Sequence, residues 1–402
     1  MNEQTLPALR YVDVVPVEGD DGDPRFVLRD PSQIAPHAMA VSAAGYFVCA
    51  HLDGGHSCAD IQRAFLHQFG AMIAPEDVQE LVEALDDALL LHTERYEKAY
   101  ESARKAFADS DVRDNRDRWP DEATLRKELD RCLAAGASVE VDRLRGVVAP
   151  HLDYERGFPC YADAYAALRA AGPAERYVIL GTNHFGRSRS VVATGKDFLT
   201  PLGRVRNDVE WLERIESALG RNLREHEFDH AREHSIELQV HLLQALWPRH
   251  GFEIAAFLCP DPCGPTGTRP ADGEGPDLED FINALRVALD ESAKTTVLIA
   301  SADLSHVGMH FGDSEPTTDA FLEDVGRNDR RLLELLTQRR EREFVDDVAR
   351  AGNHTRICSV GCVYTLFRAL PDARSRVLRY HQAENRETET TVSCAAMLLD
   401  SE

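Results

Sequence analysis

Three hydrophobic segments of this chain are each followed, within a few residues, by a histidine. Their length and composition predict buried β-strands, and the three histidines are His151, His184 and His306. In open α/β sheets, ligands bind at the carboxyl ends of the strands. The pattern therefore predicts that three imidazoles from distant parts of the chain meet at one metal or acid/base centre.

From residue 141 onward, short apolar runs alternate with amphipathic helical segments. Strands are predicted near residues 146–149, 176–181, 190–194, 254–258 and 296–301, and helices near residues 161–171, 207–219, 233–246, 278–292 and 319–338. This alternation predicts an α/β fold, with helices on both faces of a sheet. Neither a G-x-G-x-x-G loop nor a G-x4-G-K-[ST] loop is present, so nucleotide binding by such loops is not indicated.

The composition narrows the classes of function. A net charge of −24 repels the phosphates of nucleic acids, so we expect no nucleic-acid partner. No apolar run reaches the roughly 18 residues that a membrane span needs, and the amino end lacks the features of a secretory signal. We therefore expect a soluble, cytoplasmic protein that has no membrane partner.

The cysteines give little support to a disulfide scaffold or a structural zinc site. They number nine and are scattered along the chain. Cys259/Cys263 and Cys358/Cys362 each have a C-x3-C spacing, but a zinc site needs a second pair at a recognisable interval. We expect most of these thiols to be buried as small hydrophobic side chains.

The first hundred residues predict a small α+β unit. A strand at Arg25–Arg29 is followed by a helical pattern from Ser32, a second helix capped by Ser57, a third helix after Pro75 and a closing β element at Leu89–His92. This order resembles the PqqD-like winged helices that recognise peptides. The alternative is a helical cap packed on the main domain. We assign residues 1–110 to the winged-helix segment, residues 111–140 to a charged helical linker and residues 141–402 to the main domain.

A helix beginning near Glu233 places His234, Glu237 and His241 on one face, because side chains three, four and seven positions apart nearly overlap. This face is either a metal-binding face or an ordinary first turn whose acids favour the helix dipole while His241 packs inward. Beside Glu233 at the start of the helix, His234 is better placed to transfer protons than to bind a metal.

Asp303 follows the third strand and has three possible roles. It either binds the metal, orients a metal-bound histidine or caps the next helix. The neighbouring His306 favours a functional role over the cap.

Five ordered motifs are similar to those of the Memo family, which is the protein B component of the AmmeMemoRadiSam system. They are Pro150–Tyr154, Leu180–His184, Thr200–Gly203, Glu233–Glu237 and Ser301–His306. The resemblance spans about residues 146–399. It implies the fold of class III extradiol dioxygenases, which is a central mixed sheet with helices on both faces. Those enzymes hold a non-haem iron with two histidines and a carboxylate.

The resemblance implies that His151 and His184 bind the metal and that His234 is the acid/base. The family position that can be cysteine falls on Ser305, whose neutral hydroxyl is a weak metal ligand. Either His306 or Asp303 therefore replaces it, or the site binds metal poorly, and we predict His306 as the third ligand. The metal is expected to be iron or copper, with zinc as an alternative.

The resemblance favours a metal-dependent, dioxygenase-like oxidoreductase that works with a radical SAM partner. One alternative is a non-catalytic module that binds a peptide or partner protein. Another is a metal-dependent hydrolase, in which Glu237 or His234 activates water. No residue in these motifs identifies the small-molecule substrate.

Overall fold

The computed structural model describes residues 4–19, 22–134, 136–385 and 388–401. The chain divides into two compact units, Met1–Ser110 and Asp111–Glu402. None of the helices described is both long enough and apolar enough to cross a membrane.

The first unit combines a small antiparallel sheet with four helices. Its elements are β1 (Asp13–Glu18), β2 (Pro24–Arg29), β3 (Met39–Ser42), α1 (Ala43–Ala50), α2 (Cys58–Phe69), α3 (Pro75–Asp87) and α4 (Glu94–Ala108). The strands pair in the order β1-β2-β3. Ser57 caps α2 by accepting from the backbone of Asp60, whose carboxylate accepts in return from Ser57 N–H, and the helix ends at the left-handed Gly70.

Two details of the first unit differ from the sequence prediction. Residues 39–42, which were expected to be helical, form β3 instead, because Val41 is buried while its neighbours are not. The closing β element expected at Leu89–His92 is reduced to a single bridge between Leu91 and Leu9, and α4 follows directly. Membership of the PqqD-like winged helices stays a prediction.

The second unit is built around one large sheet. Its elements are β4 (Val112–Asp114), α5 (Glu122–Ala134), β5 (Arg143–Ala149), α6 (Tyr154–Ala171), β6 (Arg176–Thr182), β7 (Val192–Ala193), β8 (Asp197–Thr200), β9 (Gly203–Asn207), α7 (Val209–Leu219), α8 (His234–Leu246), β10 (Glu253–Cys259), α9 (Leu278–Asp290), β11 (Thr296–Ser301), β12 (Asp303–Gly308), α10 (Asp319–Thr337), α11 (Glu341–Arg350), α12 (Val360–Ala369), β13 (Arg374–Asn385) and β14 (Thr390–Ser401).

The strands are ordered β12-β14-β5-β11-β6-β10-β9-β8-β4, with β13 on β14 and β7 on β10. The central strands β5, β11, β6 and β10 are parallel, whereas β14 runs antiparallel to β5. Alternate residues of β6 point into two cores: Val178 packs with residues of α7, α9 and α12, and Ile179 packs with residues of α5, α6 and α8. The predicted α/β fold, with a central mixed sheet and helices on both faces, is confirmed.

The segment 111–140 does not behave as the predicted linker. Its strand β4 extends the sheet by pairing with β8, and Leu125 and Leu129 of α5 are completely buried. Most charged side chains of the segment are exposed, and this is the feature that suggested a linker, but Arg113 of β4 is buried.

Parallel pairing aligns the ends of the strands that carry the predicted site. Ser301 at the end of β11 lies beside Ala149 of β5, and Ala300 lies beside Leu180 of β6. His151 and His184, which follow β5 and β6, are therefore brought to the same edge of the sheet.

Candidate metal centre

His151, His184 and Cys358 form a compact group at this edge, with one possible ligand atom from each residue within 4.8 Å of the others. Cys358 Sγ lies 3.4 Å from His151 Nε2. The two imidazole rings meet edge to face, with their centroids 4.9 Å apart. The histidines lie in the loops after β5 and β6, whereas Cys358 comes from the loop that precedes α12.

His151 is held by the end of β11. Its Nδ1 lies 3.0 Å from the Ser301 carbonyl oxygen, which can only accept, so Nδ1 carries the proton and Nε2 is left to bind a metal. The Asp303 carboxylate accepts from the His151 backbone N–H and lies 3.5 Å from Nε2. Burial lowers the pKa of His151, but Asp303 and the Cys358 thiolate outweigh it and raise this pKa to about 9.

His184 is held by Glu233, which is buried at the start of α8. Both carboxylate oxygens lie 3.1 Å from His184 Nδ1, and one also accepts from the His184 backbone N–H. Burial disfavours the positive charge of His184 and the negative charge of Glu233, but the attraction between these two charges outweighs it. The pKa of His184 is therefore raised and that of Glu233 is lowered. A carboxylate bound to Nδ1 again leaves Nε2 as the free nitrogen.

Cys358 contributes a thiolate to the group. Burial raises the pKa of its thiol, but the nearby His151 and His306 outweigh burial and hold this pKa well below its usual range. A metal that displaces the proton from each Nε2 would meet two imidazole nitrogens and a thiolate. This set suits iron, copper and zinc, whereas magnesium and calcium prefer oxygen ligands. The donor set therefore fits a divalent transition metal.

His234 lies beside the group rather than within it. Its ring stacks on His184 with the centroids 4.9 Å apart, and its Nδ1 is 3.4 Å from Glu233 Oε1. Burial lowers the pKa of His234 to about 3, and the positive charges on His184 and His151 add to this effect. This shift favours the neutral form of the ring. A second possible group, formed by His184, Glu233 and His234, shares the His184 ring.

The comparison with protein families identifies the larger unit. Residues 119–398 match the family described as Memo-like protein, which is more than half of the chain. The chain belongs to the Memo family. The predicted membership is thereby confirmed, while kinship with the extradiol dioxygenases stays a prediction.

Several curated relatives carry the same family name. A MEMO1 family protein of Aquifex aeolicus is 24% identical over 397 residues, which cover 98% of this chain and 99% of the relative. One from Thermus thermophilus is 26% identical over 347 residues, covering 86% of this chain and 99% of the relative. One from Methanopyrus kandleri is 30% identical over 276 residues, covering 65% of this chain and 87% of the relative.

The structure brings His151, His184 and His234 together as predicted, but it offers a different third ligand. Among the described residues, His306 belongs to neither of the two groups of possible metal ligands. Its Nδ1 lies 3.0 Å from the Leu304 carbonyl oxygen and its ring packs on Phe311. The Ser305 hydroxyl contacts Asp329 and Thr355, whereas the sulfur beside the histidines is that of Cys358. The match of Ser305 to the family cysteine stays a prediction. The C-x3-C spacing had drawn attention to Cys358, but no local pattern linked it to the histidines.

Glu237 and His241 belong to a buried group on the same helix. Glu237 Oε2 accepts from Arg113 Nη2 at 2.8 Å and from Asn115 Nδ2 at 3.0 Å, and its Oε1 lies 3.7 Å from His241 Nε2. His241 packs inward with its Nδ1 3.2 Å from the Tyr154 hydroxyl. The structure thus favours the inward-packing alternative for this face. It gives Glu237 a structural ion pair in place of the predicted catalytic role.

Proposed function

We propose that this protein binds iron or copper through His151, His184 and Cys358 and catalyses a metal-dependent oxidation or reduction of a small molecule. The observation that carries the proposal is the compact His2Cys donor set, in which Nδ1 of both histidines is engaged by a carbonyl or carboxylate and Nε2 is left as the possible ligand atom. Asp303, 3.5 Å from His151 Nε2, adds a carboxylate beside the three ligands. Zinc is the alternative metal for the same ligands.

The protein's own residues supply positioning and proton transfer. A bound iron or copper would polarise the substrate and pass its electrons to dioxygen, which is the oxidant in dioxygenase-like chemistry. Glu233 fixes the ring of His184, and the Ser301 carbonyl fixes the ring of His151. His234 is neutral before the reaction and would take up a proton on Nε2 as the substrate releases it, with the Glu233 carboxylate at Nδ1 stabilising the charge that forms.

Metal analysis after anaerobic purification tests this function. We expect about one iron or copper ion per chain. The metal should be lost in His151→Ala, His184→Ala and Cys358→Ala. The control variant His250→Gln, at an exposed position, should retain it. His234→Gln should retain the metal, which would separate a proton-transfer role from a ligand role. Full occupancy in the three alanine variants would refute the proposal. Zinc alone, without redox activity, would favour the hydrolase.

The first unit favours a second candidate function, which is recognition of a peptide or partner protein. Strand β3 pairs only with β2 among the described strands, so its other edge is open to an added strand. Beside this edge lies a cavity of about 480 Å³ lined by residues including Val41, Phe65, Met72 and Leu81. Met72 is 65% exposed. A radical SAM enzyme or its peptide substrate is the proposed partner.

Hydrogen exchange tests this second function. Adding a purified radical SAM partner or its peptide should slow amide exchange in β3, and Met72→Asp should abolish the effect. Unchanged exchange with both additions would contradict peptide recognition at this edge.

We also propose that the protein is located in the cytoplasm. The nine cysteines are free, which supports a location in this reducing compartment.

A further inference from the structure

The loop that carries His184, residues 183–188, is held by two carboxylates on one short segment. Glu233 binds the ring and backbone N–H of His184, as described above. Asp229, four residues earlier, binds the loop on both sides of His184. We call residues 183–188 the histidine loop.

Asp229 accepts three hydrogen bonds from the histidine loop. Its Oδ2 accepts from Asn183 Nδ2 at 2.8 Å and from the backbone N–H of Ser188 at 3.0 Å. Its Oδ1 accepts from the backbone N–H of Arg187 at 3.1 Å. The Asn183 side chain also closes the loop on itself, since its Oδ1 accepts from Gly186 N–H at 2.9 Å. One carboxylate therefore joins the start of the loop to its end.

The packing around this carboxylate leaves no free space. Asp229 is only 7% exposed. A Cβ atom added at Gly186 would lie 2.2 Å from Asp229 Cγ and 2.1 Å from Asn183 Oδ1, so only glycine fits there. The loop backbone is thus in direct contact with the carboxylate and cannot shift without losing these hydrogen bonds.

We propose that Asp229 is a positioning residue of the metal centre, which fixes the histidine loop so that His184 is oriented before metal binds. The inference rests on the proposed function. Glu233 sets the rotation of the ring, and Asp229 sets the position of the backbone that carries the ring. Residues of this kind, which orient a ligand without touching the metal, typically affect metal affinity by about 10- to 100-fold.

Asp229→Asn tests the proposal because the amide has nearly the same shape but only one acceptor oxygen. Its NH2 group would face the donor N–H groups of the loop. We expect about 10- to 100-fold weaker Co²⁺ binding, with the sulfur-to-cobalt absorption band of Cys358 unchanged at saturation. Glu227→Gln is the matched control. It lies on the same segment, but its Oε1 accepts from Thr194 and Gly195, away from the histidine loop.

Amide exchange of the metal-free protein provides a readout that does not depend on metal. Peptides covering residues 183–190 should exchange faster in Asp229→Asn than in the wild type or in Glu227→Gln. If Asp229→Asn fails to fold, Asn183→Ser provides a second test. It removes the bonds of the Asn183 side chain to Asp229 and to Gly186 but keeps the carboxylate with its two backbone bonds, so we expect a smaller effect of the same sign.

The outcomes separate the inference from the proposed function. Equal Co²⁺ affinity together with equal exchange would overturn the role of Asp229. If the wild type binds neither Co²⁺ nor iron or copper, the proposed function fails. Faster exchange in the variant would then still support Asp229 as the residue that fixes this loop.

Discussion

Ser305 and Cys358 show how differently two candidate ligands can be placed. The Ser305 hydroxyl is buried, 2.7 Å from Asp329 Oδ1 and 2.9 Å from Thr355 Oγ1. Tyr380 also donates to Asp329, at 2.8 Å. This serine therefore stabilises a buried carboxylate, whereas Cys358 lies against His151.

This placement makes Ser305→Cys informative. A thiol is a weak donor, so Asp329 loses much of one hydrogen bond, and we expect the free energy of unfolding to fall by about 1–3 kcal/mol. The affinity for Co²⁺ should not change, because the new sulfur faces Asp329. Urea unfolding and metal titration of both proteins provide the measurements. Tighter metal binding by Ser305→Cys would show that the side chain reaches the site.

The ion pair of Glu237 with Arg113 should stabilise the fold rather than the metal site. Glu237→Gln leaves the buried Arg113 guanidinium without a counter-charge, so we expect the free energy of unfolding to fall by about 3–5 kcal/mol. Metal affinity should be retained. Glu210→Gln, which removes an exposed partner of Arg214, is the control, with an expected change under about 1 kcal/mol. Metal loss in Glu237→Gln with the fold intact would restore a functional role.

His241 should make stability depend on pH. Burial lowers its pKa from 6.5 to about 4, so between these values the unfolded chain binds a proton that the folded chain does not. The stability that the neutral His241 contributes is complete above pH 6.5 and is lost as the pH falls towards 4. At pH 5 this loss amounts to about 2 kcal/mol of unfolding free energy. His241→Gln should weaken the loss of stability between pH 7 and 5, as measured by urea unfolding. His250→Gln, at an exposed position, should leave it unchanged; equal pH dependence in both variants would contradict the assignment.

At the scale of elements, the sequence predicts the central sheet well and its margin poorly. Strands β5, β6, β10 and β11 are continuous apolar runs because both of their faces are covered, and such runs are easy to recognise. Strand β13 alternates between exposed and half-buried residues and is rich in polar residues, so it lacks this signal. Nine of the ten residues of helix α12 are buried, so this helix lacks the polar face that marks a surface helix.

The same reasoning explains which site residues could be predicted. His151 and His184 directly follow recognisable strands, so the parallel sheet itself predicts their meeting. Cys358 precedes α12, and its position depends on how that helix packs against the end of β10. This contact is tertiary, and no local pattern in the sequence encodes it.

Gly361 makes that contact possible, since an added Cβ would lie 1.9 Å from the Pro260 carbonyl oxygen. Gly361→Ala must therefore push α12 away from β10 and move the loop that carries Cys358. We expect a loss of about 1–3 kcal/mol in unfolding free energy, together with weaker Co²⁺ binding. Gly251→Ala is the control, because a Cβ there meets no atom within 4 Å. Unchanged metal affinity in Gly361→Ala would mean that Cys358 is positioned independently of α12.

At the scale of the whole molecule, the two units have separate hydrophobic cores. The core of the first unit is formed by residues such as Leu28, Val48 and Leu85. The two large cores of the second unit, one on each face of its sheet, are formed by residues between 125 and 399. Every residue of the candidate metal centre lies in the second unit. A unit with its own core can in principle fold alone.

Separate expression of residues 1–110 and 111–402 tests this independence. The division falls between α4 and β4, so it cuts no helix or strand. Each fragment should show a cooperative thermal transition, because each keeps its complete core. Residues 111–402 should bind Co²⁺ with the affinity and sulfur-to-cobalt band of the full chain, and residues 1–110 should bind none at this site. Loss of binding by a folded 111–402 fragment would show that the metal centre requires the first unit. An unfolded 1–110 fragment would instead favour a cap that depends on the larger unit.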